Sequence, residues 1–297
     1  MSRETQHPAA RFRALIARKQ ITMLPSVGDA FSARLIAHEG FEALMSSGNA
    51  TSAMRLGMPD VGVMTLSENA ENASRMVEAS GLPVFADADT GYGNALNVRR
   101  TIMEFERAGV AAVMIEDQVT PKRCGMLEGK QVVPASEMIG KIKSALDARR
   151  NDDLVVVART DARAVEGLGA AIRRAELYQK AGADAIFVEG PRTLAEAEEI
   201  ARSLDIPMLY NITPTGSVAP LDVATLEQLG YRLLSCSVYM LLAAIPAMQK
   251  FLRTLRATGD VARAGADATK MSEYLDILGF QEWQRYEADY APTVKKD

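Results

Sequence analysis

Histidine and cysteine are the scarcest reactive residues in this sequence, two of each among 297. His7 lies in a polar N-terminal arm and His38 in an alanine-rich stretch of helical pattern, so both read as surface or packing residues and little imidazole chemistry is left to the chain. Cys124 and Cys236 are too few for a disulfide framework or a metal cluster, which fits a reducing compartment. No run of about 18 apolar residues is present, and no charged start leads into an apolar core, so neither a membrane span nor an export signal is expected. The expectation is a cytoplasmic protein. Basic charge is not in excess either: the net charge is -4, which gives nucleic acid no electrostatic footprint. What is abundant is apolar side chain, 48% of the residues, enough for one large core. We expect a single domain over residues 1–297, made of an N-terminal helical arm (1–20), a body (21–237) and C-terminal helices (238–297).

Short apolar runs alternate with amphipathic stretches along the body. Eight of them read as strands, at 21–24, 43–45, 82–86, 111–115, 153–158, 185–188, 208–210 and 232–234. Helical patterns lie at 11–19, 30–39, 238–256 and 270–286, and Gly81 and Gly109 stand where helices should stop. Polar residues gather just after nearly every strand, which predicts a (β/α)8 barrel with its active site in the loops that follow the strands. A doubly wound open sheet would more typically carry one glycine-rich phosphate loop near the start, and no G-x-G-x-x-G or Walker pattern lies there.

The most informative stretch is Phe85-Ala86-Asp87-Ala88-Asp89-Thr90-Gly91-Tyr92-Gly93, where an apolar run meets two carboxylates and a turn. Asp and Gly also cluster in ordinary turns, but a second acidic strand end, Ile115-Glu116-Asp117, changes the balance. On adjacent parallel strands Asp87, Asp89 and Glu116 would meet at one rim, and a few hard oxygen ligands suit Mg2+ or Mn2+ better than zinc. Cys124 is the second marker. It sits in a polar segment, 120–130, beside Lys122 and Arg123, and two neighbouring cations should lower its pKa and ready it for proton transfer. Cys236 reads as a small buried hydrophobe.

Several pieces, in this order, resemble the isocitrate lyase and phosphoenolpyruvate mutase superfamily, most closely its 2-methylisocitrate lyase branch. They are Leu56-Gly57-Met58-Pro59-Asp60-Val61-Gly62, the Asp87 to Asn94 loop, Ile115-Glu116-Asp117-Gln118, Pro121-Lys122-Arg123-Cys124-Gly125, Ala158-Arg159-Thr160-Asp161 and Asn211-Ile212-Thr213. The likeness runs from Ser26 to the C-terminal helices. It implies a barrel whose last helix is exchanged between subunits, a homotetramer, an essential Mg2+, and a bond made or broken beside the enolate of a 2-oxo acid. By the same resemblance Asp87, Asp89 and Glu116 hold the cation, with Asp60 just outside its ligands. Ser47, Gly48 and Asn49 bind the carboxylate of the oxo-acid part, Arg159 binds or polarises the substrate, and Glu189, Asn211, Thr213 and Gly125 surround its second half. Cys124 is then the acid that protonates the departing carbanion, on a loop that closes over the substrate.

Departures from the pattern bear on the substrate. Met126 and Leu127 follow Cys124-Gly125 where the lyases carry His and Arg, Met45 stands where a Tyr or Trp is usual, and Pro214 replaces an acidic residue. The implied reaction is therefore retro-aldol cleavage of a 2-hydroxy di- or tricarboxylate, with a pocket less polar than a tricarboxylate needs. The base that takes the hydroxyl proton is left open between Glu116, a hydroxide on the metal and, more weakly, Tyr92. A phosphonate-forming isomerase, an oxaloacetate decarboxylase and an inactive ligand-binding homologue are the alternatives, the first disfavoured by Cys124.

Overall fold

The structure is a computed structural model and describes residues 6–216 and 218–291. The chain divides into two compact units, Met1–Leu241 and Leu242–Asp297. In the first, eight parallel strands close into a barrel in sequence order: β1 Thr22–Val27, β2 Leu44–Ser46, β3 Val84–Asp87, β4 Ala112–Glu116, β5 Val155–Thr160, β6 Ala185–Val188, β7 Met208–Ile212 and β8 Leu233–Cys236. The expected barrel is present. All eight expected strands exist, and most run one to three residues further toward their carboxyl ends than the apolar runs suggest. Arg159, Thr160 and Asn211 are consequently inside strands, because backbone pairing with neighbours continues after the side chains turn polar.

Alternation along the strands explains where the site lies. Leu24, Met45, Phe85, Ala112, Met114, Val155, Val157, Ala185, Phe187, Leu209 and Leu233 fill the barrel interior as one buried cluster. With a side-chain period of two, the next inward positions are Ser26, Ser47, Asp87, Glu116, Arg159, Glu189, Asn211 and Ser235. The floor of the site is thus the topmost layer of the barrel core. Residues of the other parity, such as Val113, Ile115, Val156 and Ala158, join the larger cluster beneath the surrounding helices.

The opposite mouth of the barrel is closed by helix Pro8–Ala17, whose Phe12 and Ile16 enter the interior cluster. Phe12 packs on Phe85 with ring centroids 5.9 Å apart, and Arg13 fastens the helix to Asp184 Oδ1 at 3.1 Å and to the Asp152 carbonyl at 2.8 Å. Among the barrel helices, Leu66–Ser80 starts on a capping box between Thr65 and Glu68 and stops at Gly81, whose φ of +63° is the left-handed turn a glycine takes without strain. The second unit holds the rest of helix Tyr239–Thr258, then Val261–Ala264, Met271–Ile277 and Phe280–Tyr290. No helix among the described residues is long and apolar enough to cross a membrane.

Candidate active site

Asp87 and Glu116 close their strands and point inward, and Asp89 follows in a turn at φ +50°, a left-handed conformation that Asp tolerates better than most side chains. That turn is well held. The Asp89 amide donates to Asp87 Oδ1 at 3.1 Å, Asn69 Nδ2 donates to the Asp87 carbonyl at 2.8 Å, and the Glu116 amide donates to the Asp89 carbonyl at 2.8 Å. Gly48 lies against both carboxylates: a methyl group on it would sit 3.1 Å from Asp87 Oδ2 and 3.2 Å from Asp89 Oδ1. Its amide faces Asp87 Oδ2 at 3.4 Å, so it orients a carboxylate of the site rather than lining the cavity itself.

The expected cation site is not a finished chelate. Among the described residues no three acidic, histidine or cysteine side chains gather closely enough to hold an ion as they stand. Lys122 occupies the gap, its buried Nζ 2.5 Å from Asp60 Oδ1 and 2.7 Å from Asp89 Oδ1. Asp60, expected outside the ligands, is therefore the direct partner of a lysine carried by the loop. The remaining carboxylates nevertheless fit a divalent ion. Both oxygens of Glu116 are buried without a hydrogen-bond partner, and Asp89 Oδ1 is close to Lys122 without being aligned for a hydrogen bond. Six carboxylates, Asp60, Asp87, Asp89, Glu116, Asp161 and Glu189, share this end of the barrel with three buried cations, Lys122, Lys130 and Arg159. Burial accordingly pushes the Glu116 and Glu189 carboxyls up and that of Asp89 to about 6. Hard oxygen donors short of positive charge are what Mg2+ or Mn2+ requires.

Arg159 is held before any substrate arrives. Its Nε and Nη2 donate to the two oxygens of Asp161 at 2.9 and 3.0 Å, which fixes the guanidinium plane, and it also lies 3.3 Å from Glu116 and 3.4 Å from Glu189. Asp161 is fully buried. Burial would raise its carboxyl, but Arg159 and Lys130 outweigh it and hold it below the usual range. Asp117, read from sequence as part of the acidic strand end, faces away from the cavity. It accepts from Thr160 Oγ1 (2.8 Å), Tyr178 Oη (2.7 Å) and the Asp161 amide (2.9 Å), and so braces the segment that carries Arg159.

Cys124 is where the sequence expectation fails. The two adjacent cations do not activate it: Lys122 turns inward to its carboxylates, and Arg123 turns away to the Glu128 carbonyl at 3.2 Å. Burial instead pushes the thiol above its ordinary value, with Asp60 adding to the shift. A protonated thiol suits a proton donor better than a nucleophile. Asn49 Nδ2 donates to its Sγ at 3.2 Å and the Cys124 amide donates to the Asp60 carbonyl at 3.1 Å, so the loop is seated over the pocket. Tyr92, the weaker candidate base, is pushed well up by burial, and the hydrogen bond it takes from Asn69 at 2.8 Å offsets this only in part, which keeps it a neutral phenol.

A cavity of about 30 Å³ lies between these groups. Of the residues named from the sequence, Ser47, Asn49, Asp60, Asp87, Cys124, Gly125, Arg159, Glu189, Asn211 and Thr213 line it, whereas Gly48, Asp89 and Glu116 do not; Ser26, Met114, Phe187, Ser235 and Ser237, which reading by motif missed, line it too. Strand parity would have found Ser26 and Ser235, since each sits two residues beyond a core side chain. Asn211 Oδ1 accepts from Ser235 Oγ at 2.8 Å, which turns the amide nitrogen toward the other side. Met45 and Met126 line the cavity, whereas Leu127 is exposed on a neighbouring surface cleft.

A closed (β/α)8 barrel with acidic ends on β3 and β4, a clamped arginine on β5 and a thiol on the covering loop defines an enzyme that works on a small polar molecule at the strand ends. The chain belongs to the phosphoenolpyruvate phosphomutase family, which its residues 12–256 match. It is 40% identical over 283 residues to the 2,3-dimethylmalate lyase of Eubacterium barkeri, covering 95% of this chain and 98% of that one. It is likewise 40% identical over 291 residues to a 2-methylisocitrate lyase of Aeropyrum pernix, covering 98% and 94%. Among solved structures it matches an oxaloacetate acetylhydrolase in complex with 3,3-difluorooxalacetate, with a TM-score of 0.91, 31% identity and coverage of 97% and 99%. The superfamily read from the motifs is the one the chain belongs to.

Proposed function

We propose that this carbon–carbon lyase cleaves an alkylated 2-hydroxy dicarboxylate, of the type of 2,3-dimethylmalate, to a 2-oxo acid and a second carboxylate. The observation that carries this is the lining of the cavity. Alongside the carboxylates and the Cys124 thiol, the apolar side chains of Met45, Met114, Met126 and Phe187 line it, and Arg159 is the one basic side chain among the described residues that do. A third carboxylate, as in isocitrate, would be buried without a partner at a cost of several kcal/mol, whereas an alkyl group gains about 0.8 kcal/mol per buried methylene. The name of the Eubacterium barkeri relative supports the same reading.

Asp87, Asp89 and Glu116 would hold the divalent cation, with Lys122 yielding its place beside Asp89. Such an ion, bound there, supplies Lewis acidity that lowers the pKa of the substrate's 2-hydroxyl. Arg159, fixed by Asp161, and the amide nitrogen of Asn211 take up the negative charge that grows on the departing half as the C2–C3 bond breaks. The electron pair of that bond ends on C3. Cys124 gives C3 its proton, and the hydroxyl proton leaves to a base, so the oxo acid and the second carboxylate are formed in balance. The seated loop keeps water from protonating or trapping the intermediate. Apolar side chains exposed on the second unit, Met248, Leu252, Met271 and Trp283 among them, support the further reading that it packs on another copy in a tetramer, which sedimentation would test.

A panel of 2-hydroxy acids with Mg2+, with oxo-acid release coupled to a dehydrogenase, tests the substrate. The highest kcat/KM is expected for 2,3-dimethylmalate, with isocitrate and 2-methylisocitrate well below it, and no turnover in excess chelator. A preference for isocitrate would overturn the reading.

A further inference from the structure

We propose that Lys130 is a positioning residue that locks the proton-donor loop to the arginine of the site, so that the seating of Cys124 and the orientation of Arg159 are one event. Neither the motifs nor the reaction calls for this lysine, yet its side chain is only 5% exposed. Its Nζ donates to the Gly125 carbonyl at 2.7 Å and to Asp161 Oδ1 at 3.1 Å. Both partners matter. Gly125 directly follows Cys124 in the chain, and Asp161 is the carboxylate that fixes the plane of Arg159.

The contact beneath Gly125 shows how close the coupling is. A methyl group there would meet Arg159 Nη2 at 2.7 Å and Glu189 Cδ at 2.9 Å, so the loop backbone rests on the arginine and its glutamate with no room between. Asp161 thus shares one oxygen, Oδ1, between Arg159 and Lys130, and the lysine spends its other bond on the carbonyl next to the thiol. Asn49 and the Asp60 carbonyl hold Cys124 itself. Without Lys130 the loop keeps those ties but loses the one that sets its height above Arg159. An ammonium buried against a carbonyl and a shared carboxylate is also a poor candidate for mere surface charge, because a buried cation without a task costs more than an apolar side chain in the same place.

The test reads the loop apart from turnover, since the kinetic arm rests on the proposed reaction and the chemical arm does not. The rate of iodoacetamide labelling of the Cys124 peptide, followed by mass spectrometry in the enzyme without substrate, reports how often the thiol is uncovered. Lys130→Met is expected to label roughly tenfold or more faster than wild type, Lys130→Arg near the wild-type rate, and Glu128→Gln, an exposed change on the same loop, at the wild-type rate. With a cleaved substrate, Lys130→Met should lose kcat by about 100-fold with little change in KM, and Lys130→Arg should recover most of it. Faster labelling in a protein that turns over none of the panel would sustain the latch and sink the lyase substrate instead. Should Lys130→Met not fold, Lys130→Gln, with an amide NH2 and no charge, is expected to label at an intermediate rate. Labelling of the Met or Gln variant at the wild-type rate, or failure of Lys130→Arg to restore it, would overturn the proposal.

Discussion

Replacing Lys122 by methionine removes the only cation among the described residues in contact with both Asp60 and Asp89, while keeping most of the length of the side chain. All three groups are about 95% buried, so the two carboxylates would be left charged and unpaired in a site that water hardly reaches. Breaking a buried pair in this way costs about 3–5 kcal/mol, which at roughly 2 °C per kcal/mol for a chain of this size lowers the Tm by about 6–10 °C. The pH dependence should change with it. Burial already lifts Asp89 from 3.8 to about 6 against the pull of Lys122, so the folded state binds more protons than the unfolded one between those values. Stability therefore falls as pH rises through that window. Without Lys122 the window extends upward, and the variant should lose most at neutral and mildly alkaline pH. Millimolar Mg2+ is expected to restore more Tm to the variant than it adds to wild type, because in wild type the ion must first displace an ammonium. Scanning calorimetry of both proteins across this pH range, with and without Mg2+, checks each part. Equal Tm values and equal shifts with Mg2+ would show that Lys122 and the cation do not share these carboxylates.

Cys124→Ser should lower kcat by about 100- to 10,000-fold while substrate still binds, as the hydroxyl is a much weaker acid in that position. Because burial lifts the thiol above its ordinary value, the wild-type rate should hold through neutral pH and fall only on the alkaline side as the thiol loses its proton, and this limb should be missing from the pH profile of the variant. Gly125→Ala puts a methyl group 2.7 Å from Arg159 Nη2; chemical denaturation should show a loss of about 1–3 kcal/mol, and activity should drop with the displaced loop. Met126→His alone should narrow the ratio of kcat/KM between 2,3-dimethylmalate and isocitrate, while Leu127→Arg, on the outer cleft, should leave it unchanged.

The barrel was legible because its signal is repeated eight times. Each apolar run is short, but each is followed by a polar residue at the carboxyl end, and no other common fold distributes such ends around a whole chain. The site was legible for the same reason: Asp87, Glu116, Arg159, Glu189 and Asn211 all continue the inward parity of their strands. Boundaries were less so, since pairing carries β5 through Thr160 and β7 through Ile212, past the last apolar side chain. Asp117, which the sequence reading left without a role, faces the other way because adjacent residues of a strand point to opposite faces. It belongs with Tyr178 and Arg174 behind the barrel, though it shares a motif with Glu116.

What could not be read is which way a loop side chain turns. Lys122, Arg123 and Cys124 are neighbours in sequence, and proximity along the chain suggested that two cations activate one thiol. Electrostatics acts through space and through the local dielectric, so the outcome depends on where each group ends. Lys122 ends among carboxylates that attract it more strongly than a neutral thiol does, and Arg123 ends outside. The thiol is left buried and facing Asp60, and the sign of its shift reverses. For a nucleophile that reversal would be a defect, but a group that must deliver a proton has first to hold it at the working pH, and the raised thiol does so while remaining a far stronger acid than a hydroxyl. The same loop therefore gives its lysine to the acidic rim and keeps its cysteine protonated, a division of labour that requires the backbone between them to be fixed, as Gln118 fixes it by donating to the Arg123 carbonyl at 2.9 Å and accepting from the Arg123 amide at 3.0 Å.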